Sequence, residues 1–370
     1  MVLRLRYGTA HARVMSAYEV VRGALGRGGP IVLGGPMGTE LVRRGVRWRG
    51  HGMLTDSDAV RTLYLEYLAA GADLIRTNTF QLNRRIYLDV FRDAAHMRHI
   101  GAPGLAQRAS ELTRRAVELA REARASSGRE GVAIAGVMSP LEHCFRPDLA
   151  PPAHEAEAEH RELASVLAEA GVDLILLESM NTLTEARGAA RAGRETGLPL
   201  WASFVLSPDG RVLGGEPLAE AAAAMRDLGA EAVLVNCVPP VDVGPALETL
   251  VPGGPAGAFP HLGKLDPPSW KLEFFPRFCQ TDEWPPERLA MAAAEWLSRG
   301  ARIIGSCCGS GPAHTRALSP RSEVRGPRPS RSGLEMRSQP NPPAPFPKGK
   351  GELLNSHPLP FREEGWGVRL

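Results

Sequence analysis

Several things are scarce in this sequence, and each shortage removes a class of protein. No apolar run approaches the roughly 20 residues that a helix needs to cross a bilayer, so no membrane span is expected. The opening residues, Met1-Val2-Leu3-Arg4-Leu5-Arg6, carry charge but no apolar core, so they do not read as a signal peptide. Only five cysteines are present. A small, odd number does not build a disulfide framework; it fits a reducing compartment, the cytoplasm, with thiols left for metal or free use. Aromatic residues make up 6% of the chain, and no group of them reads as a cage for a quaternary ammonium.

An excess of one charge is lacking too. The formal net charge is +3, but residues 319–370 hold nine Lys/Arg against five Asp/Glu, leaving 35 against 36 in the rest. The basic surplus therefore belongs to the tail, and the main body offers no footprint for nucleic acid. That tail has ten prolines in 52 residues and no hydrophobic period, which predicts disorder. Its abrupt composition also fits a frameshifted or read-through end. At the other terminus, residues 1–29 read as an extension, with a helix-like stretch opening after Met15.

What remains, 30–318, is strongly patterned. Strand-like apolar runs fall at 30–33, 71–76, 132–137, 172–177, 200–205, 233–236, 256–261 and 301–305. Amphipathic helical stretches, such as 60–70, 112–123, 155–170, 217–228 and 289–299, lie between them. Eight alternations predict an α/β protein with parallel strands, a (β/α)8 TIM barrel whose sites lie at the strands' C-terminal ends. A doubly wound open sheet has the same periodicity and is the alternative.

The residues that carry chemistry sit at those ends. Ile303-Ile304-Gly305-Ser306-Cys307-Cys308-Gly309 runs from a strand into a glycine-rich turn with two adjacent cysteines. Neighbouring cysteines rarely bond each other, because the ring is strained, whereas glycines let both sulfurs face one site. Cys237 ends another strand. Three soft ligands with an open fourth position are a catalytic zinc pattern; three ordinary buried cysteines are the alternative. Glu178 closes the apolar run 172–177, and an acid there is costly to bury unpartnered; a structural cap is its alternative. The turn Gly34-Gly35-Pro36-Met37-Gly38-Thr39 offers backbone N–H groups to an anion. Thr77-Asn78-Thr79-Phe80 brings polar groups to the second strand's end, to line a site or to satisfy loop backbone. His96 and His99 read as surface residues; His143 beside Cys144 reads as a loop histidine next to a buried cysteine, with a catalytic pair as the alternative. His261 reads either as a fourth zinc ligand or as another loop residue.

Taken in order, these motifs resemble the zinc-dependent homocysteine S-methyltransferases, which include betaine–homocysteine methyltransferase and the homocysteine module of cobalamin-dependent methionine synthase. The resemblance spans roughly 30–318, and Gly305-Ser306-Cys307-Cys308-Gly309 is its most specific part. It implies Zn2+ on Cys237, Cys307 and Cys308, and methyl transfer to the homocysteine thiol to give methionine. It also implies an acceptor cradle of Gly35, Met37, Gly38, Thr39, Asn78, Glu178 and Asn236, with Glu178 on the amino group. The expected donor is S-methylmethionine or S-adenosylmethionine; betaine, a separate methyl-corrinoid protein or a different thiol acceptor are alternatives. So is a zinc-thiolate or redox-sensing barrel without activity. The sequence departs from the family at Gly34, usually an Asp that helps bind the ammonium, at Pro36, usually Gly or Ala, and at Phe259-Pro260-His261, usually Tyr-Ala-Asn.

Overall fold

The computed structural model describes residues 15–46, 52–85, 104–266, 277–279 and 281–320. His96, His99 and the tail beyond residue 320 lie outside them.

Eight parallel strands form the centre. In chain order they are β1 (Ile31–Val32), β2 (Leu74–Arg76), β3 (Ala133–Met138), β4 (Leu174–Met180), β5 (Leu200–Phe204), β6 (Ala230–Asn236), β7 (Ala256–Phe259) and, after a short hairpin of β8 (Lys264–Asp266) with β9 (Arg277–Cys279), β10 (Ile303–Ile304). Neighbours run β1-β10-β7-β6-β5-β4-β3-β2. The two ends then meet: Leu33 bridges Leu74, Asp73 N–H donates to the Val32 carbonyl at 2.8 Å, and Gly34 N–H to the Leu74 carbonyl at 2.8 Å. This closure makes the sheet a TIM barrel rather than the open alternative.

The near-continuous apolar strands follow from burial on both faces. Along β4, Leu174 and Leu176 join the barrel interior while Ile175 and Leu177 pack outward under the helices. That is the two-residue alternation of a strand. Trp201 is the largest fully buried side chain of the interior. Its indole N–H donates to Tyr18 Oη at 2.9 Å, and Tyr18 donates to Glu231 at 2.8 Å. Tyr18 belongs to the helix Ala17–Gly26, which opens on a reciprocal Ser16–Glu19 capping box and packs across the strands' N-terminal ends. The opposite mouth is left for chemistry.

Three features were not legible in the periodicity. The helices Leu183–Glu195 and Pro240–Leu250 fill the crossovers after β4 and β6. In the first, the buried stripe is largely Ala and Gly (Ala186, Ala189, Ala190, Gly193), so its apolar signal is faint. A Cβ at Gly188 would lie 3.3 Å from the Glu157 backbone, so small residues permit this close helix packing. The antiparallel β8–β9 hairpin inserts between β7 and β10.

Candidate metal and acceptor site

β6 delivers its cysteine through a strained turn. Cys237 has φ 50°, a left-handed conformation that costs a non-glycine residue roughly 1 kcal/mol or more and clusters at functional sites. Neighbouring backbone holds it: Cys237 N–H donates to the Phe259 carbonyl at 3.4 Å, and His261 N–H to the Val238 carbonyl at 3.1 Å. β10 delivers the other two. Gly305 lets the turn form, since a Cβ there would sit 2.8 Å from the Leu33 Cβ. Cys307 N–H donates to the Pro260 carbonyl and Leu262 N–H to the Cys308 carbonyl, both at 2.7 Å. The connection after β7 thus fixes the Cys-Cys turn from both sides.

The three sulfurs lie within 4.8 Å of one another, and they are the group of metal-ligating atoms found among the described residues. Sγ of Cys237 is 2.9 Å from that of Cys307, which is 3.9 Å from that of Cys308. A tetrahedral thiolate site with bonds near 2.3 Å spaces its sulfurs about 3.8 Å apart. One pair matches and the other is tighter. Charge also fits a cation. Hydrogen bonds from the Cys237 and Cys307 thiols hold Cys308 well below the ordinary thiol range. Hydrogen bonding to Cys307 and Cys308, together with burial, keeps the Cys237 thiol well above that range. Three sulfur donors that can give up their protons to a metal suit a soft divalent ion, and zinc fits this donor set.

The other half of the mouth holds a buried ion pair. Arg76, last residue of β2, donates from Nη1 to Glu178 Oε1 at 2.9 Å, with side chains 4% and 8% exposed. Its Nη2 donates to the carbonyls of Gly34 and Ser306, both at 3.1 Å. Its guanidinium lies 4.7 Å from the centre of the Phe259 ring. Burial pushes the Glu178 carboxyl up to about 7, against the downward pull of Arg76. Glu178 lies within β4 rather than at its end, and the following Ser179 has φ 63°.

Around this pair the anticipated cradle is distributed unevenly. Gly35 is required by contact, because a Cβ would stand 2.7 Å from the Tyr67 ring. Tyr67 Oη donates to the Pro36 carbonyl at 2.8 Å and pins the same loop. Met37 is buried, Gly38 opens the short helix Gly38–Arg43, and the Thr39 hydroxyl is buried without a partner among the described residues. The Asn78 N–H donates to Tyr64 Oη at 2.8 Å. Thr77 and Thr79 bond the β3 backbone at Val137, satisfying strand-end groups. Asn236 is fully buried: its Oδ1 accepts from Ser203 Oγ at 2.7 Å and Ser179 N–H at 3.0 Å, and its Nδ2 donates to Ser179 Oγ at 2.6 Å. It braces the ends of β4 and β5.

His261 is buried with Nδ1 unpartnered among the described residues, outside the metal-ligating group. Nδ1 of His143 accepts from the Phe145 N–H at 3.2 Å, and Cys144 is a buried free thiol outside that group. Sequence reasoning missed Arg76. Its signal was present, since a lone arginine ending an apolar strand needs a buried partner as much as Glu178 does.

Known proteins are similar to this chain in sequence and in fold. The chain is 27% identical over 332 residues to homocysteine S-methyltransferase of Escherichia coli strain K12, covering 83% of this chain and all of that one. It is 26% identical over 327 residues to homocysteine S-methyltransferase 4 of Zea mays, covering 79% and 89%. The solved structure of the metallated homocysteine methyltransferase MmuM from Escherichia coli shares the fold. The TM-score is 0.65 and the identity 24%, over 82% of this chain and 100% of that one. A family model described as homocysteine S-methyltransferase matches residues 31–321, and on that match, which spans the whole barrel, the chain belongs to the homocysteine S-methyltransferase family and is a methyltransferase.

Proposed function

We propose that this barrel, residues 30–318, catalyses zinc-dependent transfer of a methyl group from a sulfonium donor to the thiol of homocysteine, giving methionine, in the cytoplasm. Residues 1–29 form an N-terminal extension of it and 319–370 a C-terminal tail. The observation that supports this most directly is the set of three cysteine sulfurs within 4.8 Å at the strands' C-terminal mouth. Cys237, Cys307 and Cys308 would hold the zinc, which when bound keeps an acceptor thiol deprotonated near neutral pH.

The protein's own part is placement and exclusion of water. The loop from Gly35 to Thr39, with Asn78 and Glu178, takes the head of the acceptor and leaves its sulfur toward the cysteines. A sulfur lone pair takes the methyl carbon, the donor's C–S bond breaks, and its electron pair stays on the donor. The donor departs as a neutral thioether, so no strong general acid is required, and alignment supplies much of the rate. S-methylmethionine or S-adenosylmethionine is the donor favoured; betaine and a methyl-corrinoid partner protein are the donors to test beside them.

The test measures zinc by atomic emission and methionine formation on the same samples of wild type and Cys307→Ala. Zinc near one per chain with turnover, both lost in the variant, is expected. Freshly reduced wild type without zinc overturns the metal role. Zinc without methyl transfer from any of these donors overturns the activity. A second acceptor thiol is favoured by one observation, the Arg76–Glu178 pair.

A further inference from the structure

The acceptor head, in the thiol-methylation reading just given, meets a cation that is already there. Arg76 is 4% exposed at the side chain, and a buried guanidinium persists only where acceptors surround it. Those acceptors come from three elements: the Glu178 carboxylate on β4, the Gly34 carbonyl after β1, and the Ser306 carbonyl beside the metal-ligating turn. One carboxylate and two carbonyls converging on a point are what an ammonium with three N–H groups would use. The Phe259 ring adds its face to the same guanidinium.

The residues around the pair do not restore a seat for a second cation. Gly34 brings no carboxylate, although nothing conformational bars a side chain there. Its φ is not left-handed, and a Cβ would make ordinary contacts of 3.4 Å with Ile75 and 3.5 Å with Tyr67. Arg76 Nε is buried and has no acceptor among the described residues. The unmet need at this point is for a hydrogen-bond acceptor, not a donor. An incoming ammonium would share Glu178 with Arg76 at the cost of like-charge repulsion.

We infer that Arg76 is a resident cation in the place of the acceptor's ammonium, and that this site prefers a thiol of homocysteine's length whose head lacks a free ammonium and carries a carboxylate. Two sources share that chemistry, a deaminated mercapto acid and an N-acylated amino acid. The inference rests on thiol methylation at this site, and its test separates the two.

Methyl transfer from S-methylmethionine is compared for homocysteine, 4-mercaptobutanoate and N-acetylhomocysteine. In parallel, calorimetry on zinc-stripped protein compares the thioethers methionine, 4-(methylthio)butanoate and N-acetylmethionine, which bind without metal activation. An ammonium-free member is expected to lead by about 10-fold or more in kcat/KM and in affinity. Which of the two leads identifies the source. Arg76→Gln should move both ratios at least about 10-fold toward the ammonium-bearing member; if that variant does not fold, Arg76→Lys with the wild-type ratios decides. Preference of the wild type for homocysteine and methionine overturns the inference while thiol methylation stands. If no thiol is methylated, the proposed function fails, and the thioether affinities still decide whether Arg76 excludes an ammonium.

Discussion

The two halves of the barrel mouth differ in how they keep to their family's pattern. On the β6–β7–β10 side, Cys237, Cys307 and Cys308 are held by backbone hydrogen bonds from their neighbours, with their sulfurs within 4.8 Å of one another. On the β1–β2–β4 side, Gly34 stands where the sequence resemblance implies an acid, and Arg76 takes up Glu178. The lesson is that the sulfur cluster and the buried ion pair are built on different strand ends, so each can vary without the other. A metal-ligating cluster is bound by fixed ligand geometry, whereas a charged pair needs only complementary charge.

The comparison breaks first if the cysteine half proves dispensable. Cys307→Ala and Cys308→Ala should each lose zinc and reduce methyl transfer by about 1,000-fold or more, read by metal content and turnover. A folded variant that keeps both would remove the distinction between the halves.

The acceptor half is tested through its ion pair. Arg76→Met leaves Glu178 buried without its cation, a change that costs about 3–5 kcal/mol when the charge is kept. Glu178 can escape by taking a proton, since its carboxyl already lies near 7. A carboxyl raised above its unfolded value contributes stability that is full below the unfolded range, near pH 4.5, and is lost as pH rises through 7. The stability deficit of Arg76→Met in urea titration should therefore grow from pH 5.5 to pH 8, and Glu178→Gln in the same background should flatten it. A deficit independent of pH would mean that the pair is not the cause.

Within one loop, the two adjacent glycines should separate. Gly35→Ala meets the Tyr67 ring at 2.7 Å and should lose about 1–3 kcal/mol, as overpacking does. Gly34→Ala, with ordinary contacts, should stay within about 0.5 kcal/mol. Equal losses would mean that Gly34 is there for backbone reasons.

One further effect lies outside both halves. Burial, with Arg146 nearby, lowers His143 to about 4. A histidine lowered in the folded state contributes stability that is present above its unfolded value, near 6.5, and lost as pH falls toward 4. His143→Gln should remove on the order of 1 kcal/mol of that acid sensitivity, measured as Tm against pH; an unchanged slope would place the titration elsewhere.

Much of this was legible along the chain. Alternation of buried strands with amphipathic helices predicts the barrel, because strands covered on both faces must be apolar throughout. Cysteines at the tips of two such strands predict that their sulfurs meet, because a barrel gathers all strand ends at one mouth, and the three do lie within 4.8 Å. The glycines at 35 and 305 read as turns, and contact distances now give each a reason. The helix Leu183–Glu195 was hidden because its buried face is alanine and glycine.

Sequence by itself therefore determined the periodicity, the closure-compatible number of strands, and which residue types end each strand. These depend on local preference and on neighbours one turn or one pleat away. Only the tertiary structure decided that Arg76 and Glu178, 102 residues apart, neutralise each other, and that Asn236 turns to Ser179 and Ser203. A buried charge must find a partner, but the chain does not say which one, because that choice depends on which strand ends the closed barrel brings within about 3 Å.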